Sequence, residues 1–134
     1  MNVVTYEDRE PSGLAAMLGG LIEANLAAHP TRTSLLRPAI VAIVATGADV
    51  RVTLSISPGR VRVGSGDDPQ VTVRADPDSL LALTSAPLRF GFPDAFSREG
   101  RRILGLIARR EIVVDGLVRH PLVVSRLTRM LSVV

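Results

Sequence analysis

One stretch of strict alternation constrains this chain more than any other feature of its sequence. Between positions 50 and 57 every second residue is apolar, which predicts a β-strand with one buried and one solvated face. Pro58 and Gly59 follow and suit the middle of a tight turn, because Pro fixes φ and Gly accepts a positive φ. The chain should therefore return as a paired strand over 60–64, which makes an antiparallel hairpin the centre of the predicted sheet.

Three more strands are predicted around this hairpin. Residues 39–46 form a run of Ile, Val and Ala, and its β-branched residues indicate a strand covered on both faces. Residues 71–75 alternate again after a polar loop, and a short apolar segment over 112–114 is stopped by Gly116. The sheet is therefore expected to contain five strands.

Apolar residues that recur every three or four positions predict helices on either side of these strands. The first helix covers about 12–28 and is followed by a short helical turn within 31–37. Asp76 is an N-cap residue with Pro77 at the first helical position, and a leucine-rich helix then runs to about residue 86. These helices supply the apolar stripes that would cover the sheet.

The segment 87–96 is an unusual connection because it contains every Phe of the chain, whereas loops are normally polar. A third helix follows it, capped by Asp94 or Ser97, and a final amphipathic helix covers about 120–134. Some of the rings must turn inward. The loop and the final helix are therefore predicted to form one wall of an apolar pocket.

Length and composition favour one soluble globular domain. The chain has 134 residues, 46% hydrophobic and 22% charged, which suits a single core over 1–134 with 1–11 as an irregular lead. There is no Cys, so no disulfide or thiolate site is expected. The longest apolar run has seven residues, too short to span a bilayer, and the lead lacks a secretory pattern, so a cytoplasmic location is expected.

The charge pattern argues against nucleic acid as a partner. All 16 basic residues are Arg, but the net charge is only +3, and a chain without Trp offers few rings for stacking on bases. Arg98, Arg101 and Arg102 form only a short cluster. Nucleic-acid binding is therefore a less favoured interpretation, and a steep salt dependence of binding would reveal it.

Three segments resemble the sterol carrier protein type-2 family: the hairpin over 49–64, the passage from strand into helix over 71–83, and residues 107–116 before the amphipathic final helix. The resemblance covers about residues 39–134. The chain departs from the family pattern at Arg109 and Arg110, where the family commonly has a Gly before the last strand.

The resemblance implies an α+β fold in which a mixed, mainly antiparallel five-stranded sheet carries helices on one face and encloses an apolar cavity. It implies non-catalytic binding or transfer of a sterol, fatty acyl chain or phospholipid, with no cofactor. Transient membrane contact and a homodimer are both compatible with it. The side chains expected to line the cavity are Val52, Leu54, Leu83, Phe90, Phe92, Phe96, Leu106, Ile107, Leu127, Met130 and Leu131.

The sequence is also compatible with a scaffold and, less well, with an enzyme. An oligomerisation or scaffold domain would keep the same fold and fill its cavity with side chains. An enzyme is disfavoured because His29 and His120 each adjoin a Pro at a helix boundary, where a capping role is more common than general-base work. No nucleophile elbow, dinucleotide loop or calcium-loop spacing is present either.

Arg89 could meet an anionic headgroup, although a solvated position is the commoner role for such an Arg.

Overall fold

The predicted hairpin forms, and the sheet extends on both sides of it. A computed structural model describes residues 3–48, 50–66, 68–85, 88–89 and 92–132. The strands within these residues are β1 (Val4–Tyr6), β2 (Ala39–Ala45), β3 (Val50–Ser57), β4 (Arg60–Gly64), β5 (Val71–Ala75), β6 (Leu88–Arg89), β7 (Phe92–Pro93) and β8 (Ile112–Asp115). The helices are α1 (Gly13–Ala28), α2 (Pro77–Ser85), α3 (Arg98–Ala108) and α4 (Pro121–Leu131), with a 3-10 helix at Pro30–Leu35.

The main sheet has the strand order β1-β4-β3-β2-β5-β8. The pairs β2–β3, β3–β4 and β5–β8 are antiparallel, whereas β1–β4 and β2–β5 are parallel. Leu54 lies between Val41 and Val63 in this register, so the alternating apolar residues of β3 continue across its neighbours. Gly59 adopts a φ of 75° in the turn, as the Pro-Gly pair predicts. The α+β class and the mixed sheet are confirmed.

The number of strands differs from the five that were predicted, because the main sheet has six. The sixth is β1, which lies in the lead that was expected to be irregular. Val4 pairs with Val61 and is 3% exposed. A strand of only three residues in the lead is therefore enough to cover the edge of β4, whose backbone groups would otherwise be unpaired. Tyr6 then packs against α1 at Gly19, where a Cβ would overlap its ring.

The Phe-containing connection also differs from the predicted loop. β6 and β7 pair with each other as a separate antiparallel ribbon, with Leu88 opposite Pro93. The ribbon packs against α3 through β7. Pairing satisfies backbone groups that a loop leaves to water, so the segment can bring an apolar side chain such as Phe92 partly inside.

The helices cover the apolar face of the sheet. Ile22 of α1 and Leu127 of α4 belong to one buried cluster with Val41 and Leu54 of the sheet. On the opposite face of the hairpin, Arg51, Arg60 and Arg62 are exposed. The buried face of β3 is therefore the one that the alternation predicts, but Thr53, expected on the solvated face, is 2% exposed.

One end of the helical layer is closed by buried hydrogen bonds. The side chain of Asn25, itself buried on α1, donates from Nδ2 to the carbonyl of Met130 at 2.9 Å. Arg32 of the 3-10 helix donates to the carbonyl of Ser132 at 2.6 Å. These donors satisfy carbonyls at the end of α4 that have no partner within the helix, so the helix terminus is fixed to its neighbours.

Candidate functional site

An apolar groove lies where the N-terminal turns of α1 and α2 meet the end of β2. Its volume is about 300 Å³ and it is open to solvent. Three of its lining residues, Gly13, Ala45 and Ala48, are small and fill little of the space. The lining residues are Gly13, Leu14, Met17, Ala45, Ala48, Val50, Pro77 and Leu81.

Local hydrogen bonds fix the two helix ends that form the groove. Ser12 caps α1, its Oγ accepting from the backbone N–H of Ala15 at 3.2 Å. Asp76 caps α2 as predicted, accepting from the backbone N–H of Ser79 at 3.2 Å and from its Oγ at 2.6 Å. Both hydrogen bonds lower the pKa of Asp76 from its ordinary value, and the one from the side chain of Ser79 has the larger effect. The capped ends position Leu14 and Leu81 on opposite sides of the groove.

A second apolar space lies deeper, between the sheet and the helices. It is small, about 40 Å³, and mostly enclosed. Met17 is common to the linings of this cavity and of the open groove, and its side chain is flexible. The other lining residues are Leu18, Ile43, Val73, Leu80, Leu83, Thr84, Leu127, Thr128 and Leu131.

A third, polar space lies on the other side of the first turn of α1. Its volume is about 170 Å³, and Val50 is common to its wall and to that of the apolar groove. Glu7 orders the adjoining chain by accepting from the backbone N–H of Ser65 at 2.9 Å. This bond, and then the guanidinium of Arg62 at 3.8 Å, lower the pKa of Glu7. The lining residues are Asp8, Pro11, Ser12, Ala15, Val50, Arg51, Val52, Val63, Gly64 and Ser65.

The structure distributes the residues that were predicted to line one cavity. Leu83, Leu127 and Leu131 line the small enclosed cavity, and Val52 lines the polar pocket. Phe90 lies outside the described residues. The other predicted residues line none of these three spaces: Leu54 and Met130 are fully buried, Phe92, Leu106 and Ile107 are half-buried against the core, and Phe96 is 79% exposed.

The pocket wall predicted from the Phe-containing segment and α4 has different neighbours from those expected. β7 packs on α3, whereas α4 packs on α1 and the 3-10 helix. Met130 was expected to form a flexible wall, but it is completely buried where Asn25 holds its carbonyl. Among the described residues of these segments, Leu127 and Met130 are buried in the core.

Sequence reasoning missed the residues that form the open groove. Gly13, Ala45 and Ala48 are small, and small residues at the ends of elements carry no pattern that separates a groove from an ordinary turn.

Within the described ranges, no three His, Asp or Glu side chains come together as a metal site would require. None of the helices in the described part of the chain combines the length and apolar character needed to cross a membrane.

Comparison with known proteins identifies the fold. No family model matches the sequence, and no curated protein matches it either. A solved structure described as "UbiJ-SCP2 Ubiquinone synthesis protein" superposes with a TM-score of 0.62 over 88% of this chain and 92% of that one, at 22% sequence identity. The resemblance to the sterol carrier protein type-2 domain is therefore confirmed for the fold.

Proposed function

We propose that this SCP2-like domain binds an apolar, lipid-like ligand and holds or transfers it without chemistry. The observation that carries the proposal is the apolar groove between α1 and α2, which shares one lining residue, Met17, with the enclosed cavity. The structural neighbour is described as a ubiquinone synthesis protein, which supports an apolar ligand for this fold.

The groove and the cavity together suit an alkyl chain. Ligand pockets commonly have volumes of about 300–1,000 Å³, and the groove lies at the lower end of that range. Each methylene that leaves water contributes about 0.8 kcal/mol, so a chain of moderate length binds without a charged anchor. A thioether rotates at low cost, and rotation of Met17 would let the chain pass from the groove toward Leu18 and Leu83.

The proposal includes no chemical step. The linings of the groove and of the enclosed cavity consist of apolar side chains and two Thr, with no titratable group. His29 and His120 follow and precede helices, at the C-cap of α1 and the N-cap of α4. A carrier needs neither a nucleophile nor a base.

The test is to fill the junction of the two spaces. Met17→Trp should weaken binding of a fluorescent medium-chain fatty acid at least tenfold, because the indole would occupy the passage. The matched control is Leu122→Trp, since Leu122 is 65% exposed on α4 and lines neither space. A folded Met17→Trp protein with wild-type affinity would show that the ligand does not use this route.

A scaffold or oligomerisation domain with a filled interior is the second candidate. The small size of the enclosed cavity favours it, because about 40 Å³ is well below the roughly 150 Å³ that accommodates a benzene molecule. Native mass spectrometry of protein purified from its own host separates the two. A co-purifying lipid supports the carrier, whereas lipid-free oligomers that bind no fatty acid support the scaffold.

A further inference from the structure

The apolar groove and the polar pocket lie on the two sides of one helical turn. Gly13 and Leu14 face the groove, whereas Ser12 and Ala15 face the pocket, and Val50 lies in the walls of both. A ligand that passes the first turn of α1 at Val50 would therefore leave an apolar lining and reach one that also carries charged and hydroxyl groups. This arrangement suits a molecule with an alkyl chain and a polar head.

Two opposite charges in the wall of the polar pocket are unpaired. Asp8 and Arg51 both line it, yet neither forms an ion pair or hydrogen bond with the other or with another residue that the structure describes. Nearby charges behave differently, since Glu7 pairs with Arg62 at 3.8 Å. The pocket thus offers one anionic and one cationic group to a bound head.

We propose that the ligand is a single-chain zwitterionic amphiphile of the lysophospholipid class, an inference that rests on the proposed lipid-binding function. Its phosphate lies toward Arg51, because guanidinium groups match phosphate oxygens, and its ammonium group lies toward Asp8. A purely anionic head would be repelled by Asp8. The groove of about 300 Å³ suits one alkyl chain better than two chains or a sterol.

The test compares three probes that have the same alkyl chain and differ only in the head, at concentrations below micelle formation. They are a lysophosphatidylcholine, a fatty acid and an uncharged monoacylglycerol. Arg51→Gln and Asp8→Asn should each weaken the zwitterionic probe about two- to fivefold, the range expected for an exposed ion pair. For the fatty acid, Arg51→Gln should weaken binding and Asp8→Asn should strengthen it. The monoacylglycerol should bind equally well to both variants.

Arg60→Gln is the control, because Arg60 is an exposed arginine of the same sheet face and does not line the pocket. It should leave all three affinities unchanged. Equal losses for the charged and uncharged probes in the pocket variants would overturn the head-group assignment, as would stronger zwitterion binding by Asp8→Asn. Wild-type protein that binds none of the probes would overturn the lipid-binding function itself. Binding of the uncharged probe alone would leave that function standing and remove only the zwitterionic head.

Discussion

The two ends of the helical layer differ in how completely they are packed. At one end, Met130 is fully buried and α4 is held by the side chains of Asn25 and Arg32. At the other end, Met17 is half-buried and Leu81 is 50% exposed beside an open groove. The difference shows that large apolar residues consolidate this fold, whereas small residues at the ends of α1 and β2 leave the space in which a ligand could lie.

The largest expected difference between the ends is in stability. Met130→Ala should lower the free energy of unfolding by about 2–5 kcal/mol, because it opens a cavity in a site with no solvent contact. Met17→Ala removes the same side chain from a half-buried position next to existing space and should cost about half as much or less. Urea unfolding of the two variants measures both values, and equal losses would remove the distinction between the ends.

A somewhat smaller effect is expected from the polar anchor of the closed end. Asn25→Leu removes the donor to the carbonyl of Met130 and leaves a buried acceptor unpaired, at a cost of about 1–3 kcal/mol. Glu23→Leu is the control, since Glu23 is an exposed residue of the same helix. In this variant the rate of amide hydrogen exchange should increase more in α4 than in β2 and β3. An unchanged exchange rate in α4 would mean that the hydrogen bond does not hold the helix in place.

The sheet was largely predictable from sequence because alternation reports burial directly. The pattern accounts for buried Val52, Leu54 and Ile56 but not for buried Thr53. The turn at Gly59 follows from backbone preference. β1 was not predictable in the same way. A pattern of three residues is too short to distinguish a strand from a loop. The strand forms because Val4 pairs with the edge strand β4 and is buried there.

The candidate site was much less predictable, because a groove is defined by missing volume. Leu127 and Leu131 were correctly placed on the inner side of α4, since their spacing follows the helical period. Ala45 and Ala48 gave no such indication, because whether a small residue leaves space depends on elements distant in sequence. Phe96 illustrates the opposite error, since a large ring was expected inside but lies at the surface.

The smallest expected effect concerns acid, and it tests whether the open end also loosens first. Asp76, which caps α2, and Glu7, which holds Ser65, both have pKa values below their ordinary range. A carboxylate with a lowered pKa in the folded state stabilises the protein above its unfolded pKa, and this contribution is lost as the pH falls through the folded value. Both carboxylates flank the groove or the polar pocket. Below about pH 4, the backbone amide resonances of Ser65 and Ser79 should therefore shift in two-dimensional NMR spectra before those of Asn25 and Met130.

Asp76→Asn should abolish the change at Ser79 and retain the change at Ser65, because an Asn still caps the helix but does not titrate in this range. Simultaneous changes at all four amides would mean that acid acts on the whole fold and that the two ends do not differ in this respect.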